Sequence, residues 1–470
     1  MRSIVSRLRK TNAPIDHGAT SRYLYWWLLA AIFFEYARPG AFLPGINSLR
    51  LNSLIPLALV VVCVFAANLR PLQDVARDSI TKWIIAYFGL IALSLVHAEV
   101  TLYAFEVAKT VLGYLLLTFV IVRICTTSDR IRGVFGVLIV AHVFLVAMNP
   151  AAILNPHERN YIIGGTFLGD GNDFALSVCI LVPMAIELAL SSNSKLRRVI
   201  WLSSLAVLVL TVIGTQSRGG TLGLAAVGGY LWLRSPRKGL SLTLALVAVT
   251  VILTYAPDEY FNRMQTISAY EEDGSAMGRI TAWKAAVQMC LDHPLSGVGA
   301  GMFPVSFGTD YRPNEHMPWL TAHSMYFLVL GELGLPGIVV LLGLTLGNLL
   351  ANRRVANAQE AQVAGSRQRL FPIGSSRLLY LLSASMIGFA VCGAFLSVAY
   401  YPHLFVLSGL MISARCVAVG EQGVAEPASA PGPAGLVRVR SLQSAKKRGM
   451  RGGPSRPAPR VATPCLHPRA

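Results

Sequence analysis

Apolar runs long enough to cross a bilayer recur along this chain, at about 23–38, 51–68, 80–98, 101–123, 132–149, 172–191, 198–214, 219–233, 239–255, 324–350, 376–398 and 401–415. A hydrocarbon core about 30 Å thick takes roughly 20 apolar residues in helical form. Inside lipid a helix satisfies its own backbone polar groups, which a lone strand cannot do. The pattern therefore predicts an all-α, polytopic membrane protein with about twelve transmembrane helices. Composition agrees: 54% of residues are hydrophobic and 14% charged, against about 25% charged in a soluble domain. Gly334-Leu-Pro-Gly337 interrupts the tenth run, so a short helix is expected to lead into that span.

Lysine and arginine give the orientation. Arg2, Arg7, Arg9, Lys10, Arg70, Arg77, Arg123, Arg130, Arg132, Lys195, Arg197, Arg198, Arg234, Arg237, Lys238, Arg353, Arg354, Arg367 and Arg369 all fall in connections of one parity. Roughly thirty of the 41 Lys and Arg lie on that side, which the positive-inside rule makes cytoplasmic. The expected layout is a cytoplasmic N-terminal segment at 1–22, a membrane domain at 23–415 and a disordered basic cytoplasmic tail at 416–470. Both termini are cytoplasmic, and the large loop at 256–322 is outside; in a bacterium this is the periplasmic face of the inner membrane. Glu35 and Arg38 stand where a signal-peptide cleavage site would need small residues, so the first run reads as an uncleaved span. The net charge of +18 is then mostly topology. The basic segment at 437–460 lacks the aromatics of a nucleic-acid surface, so no nucleic-acid partner is expected; its composition suits contact with membrane lipids. Cys290 is the only cysteine in the outer loop, so no disulfide framework is implied there.

The stretch 278–337 is too rich in cations, histidines and glycines for a plain connection. Within it, Arg279 opens a segment whose Ile280, Trp283, Val287 and Met289 or Cys290 fall near helical spacing, as in a helix lying in the membrane interface. A solvated surface arginine is the plainer alternative. Pro294 should end that helix. The Gly297-x-Gly299-x-Gly301 run that follows serves turns or an anion-binding nest. His323 stands where the loop re-enters the membrane; an imidazole there can take a proton from a hydroxyl, or simply be an interfacial histidine. His316 competes with it, and His293 more weakly. Upstream, Thr215-Gln-Ser-Arg-Gly-Gly220 joins two runs almost without a loop. Arg218 is there either a functional cation or a snorkelling anchor. Histidines at metal-ligand spacing, paired cysteines and a carboxylate cluster are missing, so no metal and no cofactor are expected. Glu106 and Lys109 are spaced to pair on one helix face, whereas Glu187 and His142 look isolated and keep a proton-coupled transporter open. Gly169-Asp-Gly-Asn-Asp173 reads as a turn whose carboxylates either orient a sugar or cap a helix.

Taken in order, these pieces resemble the bacterial O-antigen ligase and O-antigen polymerase family. The quoted residues are Ser217-Arg218-Gly219-Gly220, then Gly278-Arg279 to Trp283, then His293 to Phe303, then His323-Ser324 to Glu332-Leu-Gly334-Leu-Pro-Gly337. The likeness is strongest over about 210–345. Ser324 departs from the pattern, in which asparagine is usual after the histidine. The resemblance implies an inverting, metal-independent glycosyltransferase that moves a glycan from a polyprenyl-diphosphate carrier to a hydroxyl of lipid A core, polysaccharide or protein. It implies Arg218 and Arg279 as diphosphate ligands and His323 as catalytic base. Ser324, Glu332, His316 and Ser217 remain as acceptor-contact or supporting candidates. Alternatives are a polymerase of the same chemistry, a bicarbonate-type secondary transporter, and a non-catalytic partner in polysaccharide export. Ionisable residues clustered at the outer surface, not along a midplane path, favour the enzyme.

Overall fold

The computed structural model describes residues 19–43, 45, 49, 51–66, 69–162, 164, 167–265, 274–362 and 374–424. Among these residues it is helical without strands. The long helices are α1 (Ala19–Ala37), α2 (Leu51–Phe65), α3 (Ser79–Leu93), α4 (Thr101–Ile124), α5 (Ser128–Met148), α6 (Gly171–Ser191) and α7 (Lys195–Gly214). They continue as α8 (Arg218–Arg234), α9 (Lys238–Tyr255), α10 (Asp258–Gln265), α11 (Gly274–Asp292), α12 (Met325–Gln362), α13 (Ser375–Gly393) and α14 (Pro402–Val424). Every run expected to span forms a helix. Nine helices among the described residues are long and apolar enough to cross a membrane. The other three are α1, rich in Tyr and Trp, α2 with 15 residues, and the glycine-rich α8 with 17. Residues 416–424, expected to belong to the disordered tail, instead continue α14, with Val417, Ala418 and Val419 buried; the rest, from 425 onward, lies outside the described residues.

Packing sorts the helices. α6, α13 and α14 form the centre, with 78%, 78% and 83% of their apolar windows buried, whereas α9 buries none and offers its leucines and valines outward. The centre is lined by small residues: Gly388 sits against Val227 and the Cys179 backbone, and Gly223 against Cys392 and Cys179. Small side chains let apolar helices approach closely, which is the main source of helix–helix attraction in lipid.

Several buried charged groups at one end of the bundle are paired. Arg415 reaches both oxygens of Asp78 at 3.0 Å, and Asn348 and Asn352 at 3.1 and 2.7 Å. Glu187, which looked isolated in the sequence, accepts from Arg132 at 2.9 Å and from Arg377 at 2.5 and 3.1 Å. Removing one partner of such a pair would strand a buried charge. His142 is not isolated either: its ring bonds Leu138 O at 2.7 Å and Ser177 Oγ at 2.6 Å, and Ser177 also meets His403 at 2.9 Å. Glu106 and Lys109 do pair. The starts of α5 and α13 thus meet the end of α6. At the opposite end the start of α6 meets the residues just before α12 and α14, as Asp173, His323 and Tyr401 line one cavity. This is the alternation of directions expected from the cationic loops.

α12 carries the break expected at its glycine-proline pair. Gly334 has φ 62° and ψ −159°, so a first helical segment meets the rest of α12 at a kink. A side chain at Gly334 would meet Pro294 O, and Leu335 N donates to that same carbonyl at 2.9 Å. The kink thereby ties α12 to the loop after α11.

Candidate functional site

The turn between α7 and α8 is set by local hydrogen bonds. Ser217 Oγ accepts Gly220 N at 3.1 Å, an N-cap that starts α8 with Arg218 as its first residue. Gln216 has φ 50°, in the left-handed region that non-glycine residues seldom occupy. Its side-chain amide donates to Pro156 O and His157 O at 3.1 and 3.2 Å, and Asn160 N donates to Gly214 O at 3.2 Å. The 155–160 loop is therefore fastened to the Arg218 turn. That loop leads to Asp170, which caps α6 by accepting Asn172 N at 2.7 Å.

His323 is placed by a different set of contacts. α11 packs on α12, with Met289 against Gly331. Ala282, Ala285, Ala286 and Met289 are buried, while Val287 is exposed. The expected apolar face is thus met in part: Trp283, Met289 and Cys290 pack inward but Val287 does not, and small residues allow α11 to lie close against α12. Trp283 stacks on Phe327 with ring centroids 5.1 Å apart, and its indole N–H donates to Ala322 O at 3.0 Å. This holds the residue before His323, whose φ is 47°. Strained backbone of this kind persists only where the surroundings over-determine it, and it clusters at functional sites. Ser324 follows, buried, and its carbonyl starts α12 by accepting Leu328 N at 2.9 Å.

These elements enclose a cavity of about 310 Å³. Arg279, His323, Thr321 and Ser397 line it together with Arg159, Asp170, Asn172, Asp173, Leu396 and Tyr401. Thr321 and Ser397 share a hydrogen bond of 2.8 Å, and Tyr401 OH donates to Asp173 at 3.2 Å. Burial lowers the His323 pKa below its ordinary 6.5; the Arg279 charge adds to this and Asp170 opposes it. Near neutral pH the ring is then largely neutral and able to accept a proton.

Of the residues expected from sequence, Arg279 and His323 share this cavity. Arg218 does not line it; its neighbour Gly219 packs at Phe395, beside the lining residue Leu396. His316 is exposed and lies off the cavity. Ser217 is occupied as a helix cap. Glu332 fills the glycine nest itself: Phe303 N donates to its carboxylate at 2.9 Å, Gly301 N also bonds it, and Tyr400 OH donates at 2.7 Å. Gly297, Gly299 and Gly301 have φ of 63°, 107° and 77°, and a side chain at Gly297 would collide with the Glu332 backbone. Glu332→Ala is accordingly expected to destabilise the protein, by about 1–3 kcal/mol for each buried donor left unsatisfied. Glu332→Gln should lose much less, as read from thermal unfolding in detergent.

Sequence reasoning missed Arg159 and Tyr401. The outer connections looked poor in cations, and Tyr401 lies more than two hundred residues from the Asp173 it bonds, a separation of 228. For the 169–173 turn the capping reading holds, since Asp170 caps α6; Asp170 and Asp173 also line the cavity.

A multi-helix membrane protein with a polar, histidine-bearing cavity at one end of its bundle is the class that fold and site define. Residues 202–342 match the family model described as O-antigen ligase. The resemblance drawn from the motifs is shown over this stretch, which contains Arg218, Arg279, His323 and Glu332. No curated protein matches the chain.

Proposed function

We propose that this protein is an inner-membrane, metal-independent inverting glycosyltransferase that moves a glycan from a polyprenyl-diphosphate carrier to a hydroxyl acceptor at the periplasmic face. The observation that carries the reading is that Arg279 and His323 line one cavity. In the proposed reaction the acceptor oxygen attacks the anomeric carbon and its proton passes to His323. The bond from that carbon to the diphosphate oxygen breaks, and attack from the opposite face inverts the anomer. Charge grows on the leaving diphosphate, and guanidinium groups stabilise it because they stay protonated and bind phosphate through two N–H bonds at once. Arg279 supplies this from the cavity wall, and Arg218 from the adjoining turn. Lipid A core, a polysaccharide and a protein hydroxyl all fit this chemistry, and a polymerase differs only in using a second lipid-linked glycan as acceptor. Against the transporter reading stands the pairing of Glu187 with Arg132 and Arg377, which gives that buried carboxylate a structural role.

The test is transfer by purified protein from polyprenyl-diphosphate-linked glycan to each acceptor class, with the product anomer read by NMR. An inverted linkage and indifference to EDTA are expected. Retention, a requirement for metal, or solute uptake without transfer would each contradict the reading. The proposed orientation is checked separately: reporter fusions at Arg237 and Arg354 should be cytoplasmic and one at Arg312 periplasmic. A cytoplasmic signal at Arg312 would put the cavity on the wrong side for a lipid-linked donor.

A further inference from the structure

Arg159 has no part in the reaction as written, yet it lines the same cavity as Arg279 and His323. It belongs to the 155–160 loop, which is bonded to the turn carrying Arg218 through Asn160 and Gln216. It therefore stands in the segment that joins the Arg218 turn to the cavity. Its guanidinium lies over the Tyr161 ring, 5.1 Å from the centroid, and 3.6 Å from Asp170. That separation from Asp170 exceeds the usual range of about 2.7–3.2 Å for an N–H···O bond. The Arg159 Nε is buried and has no hydrogen-bond partner among the described residues. Buried donors in proteins are nearly always bonded, so one left open at a cavity wall points to an acceptor that arrives with a ligand. Asp170 is held independently, since its carboxylate accepts Asn172 N at 2.7 Å.

We propose that Arg159 is a third guanidinium of the diphosphate site, acting with Arg279 and Arg218 on the leaving group; this rests on the donor-site reading above. A diphosphate presents anionic oxygens on two phosphorus atoms, more than one planar fork can engage. When it enters, Arg159 exchanges a long ion pair with Asp170 for short, charge-assisted bonds to phosphate. Tyr161 keeps the guanidinium plane in place during the exchange. Arg159 makes and breaks no covalent bond; its effect is on binding and on the charge of the leaving group.

The experiment uses the full chain in detergent and measures inhibition of transfer by polyprenyl diphosphate, with polyprenyl monophosphate alongside. Arg159→Gln should raise the inhibition constant for the diphosphate about 10–100-fold, the range for a lost hydrogen bond to a charged group. The monophosphate, with fewer oxygens to engage, should be affected less. Asp170→Asn should leave the constant unchanged or lower it, because it frees Arg159 and removes a negative charge from the cavity. A role confined to bracing the α6 cap makes the opposite forecast, that Asp170→Asn weakens inhibition as Arg159→Gln does; that result overturns the proposal. Should Arg159→Gln not fold, Arg159→Lys decides: a rise of about tenfold from loss of the fork supports the assignment, and an unchanged constant overturns it. Arg279→Gln separates the two levels of inference. If it weakens inhibition and Arg159→Gln does not, the Arg159 assignment alone fails. If neither variant weakens inhibition, the donor-site reading fails and takes this proposal with it.

Discussion

His323→Ala is expected to lose glycan transfer by about 10²–10⁴ in rate, the usual loss when a general base is removed, while polyprenyl diphosphate still inhibits it as it does the wild type. The two readouts separate because the proton moves only in the transition state, whereas the diphosphate meets guanidinium groups. His316→Ala should stay close to wild type, since His316 is exposed and off the cavity. Equal activity of His323→Ala and wild type would remove the base from the mechanism. The pH profile gives a second check. Only the neutral imidazole accepts a proton, so activity should rise with pH through the His323 pKa. Burial and Arg279 hold that pKa below 6.5, which places the acid limb below 6.5 as well. Taking away the Arg279 charge should move the limb to higher pH, and Asp170→Asn should move it lower, because these two groups act on the imidazole with opposite sign. A limb that stays put in both variants would mean that another group titrates.

Arg279→Ala and Arg218→Ala should each cost roughly 2–4 kcal/mol of transition-state stabilisation, the scale of one lost contact to developing negative charge in a water-poor site. Arg279 carries the firmer expectation, since it lines the cavity while Arg218 stands on the neighbouring turn. Lysine at either position should recover only part of the loss, because an ammonium is a point charge without the planar fork. The measurement is kcat/KM for lipid-linked donor, with insertion and thermal stability checked for each variant. Full transfer by both alanine variants would discard the diphosphate clamp. Full transfer by Arg218→Ala alone would leave Arg218 as the anchor of the α7–α8 turn, next to the strained Gln216.

The sequence by itself determined the helical membrane class, the alternation of helix directions and the break before Pro336, and it named Arg279 and His323 among its site candidates. These follow from local or one-dimensional properties: apolar length, cation count per loop, proline and glycine geometry, and short motifs. The tertiary structure decided what each polar group is for. Glu332, one of the supporting candidates, and the three glycines, read as turns or an anion-binding nest, form a closed internal network, because a buried carboxylate takes the backbone donors that glycine conformations expose. Glu187 looked alone until α5 and α13 brought Arg132 and Arg377 to it. Arg159 and Tyr401 lie on the outer connections and showed no pattern at all, yet they join the cavity with Asp170 and Asp173. A partner separated by hundreds of residues leaves no mark on local spacing; charge pairing and cavity lining depend on distances in space, and only the packed helices set those.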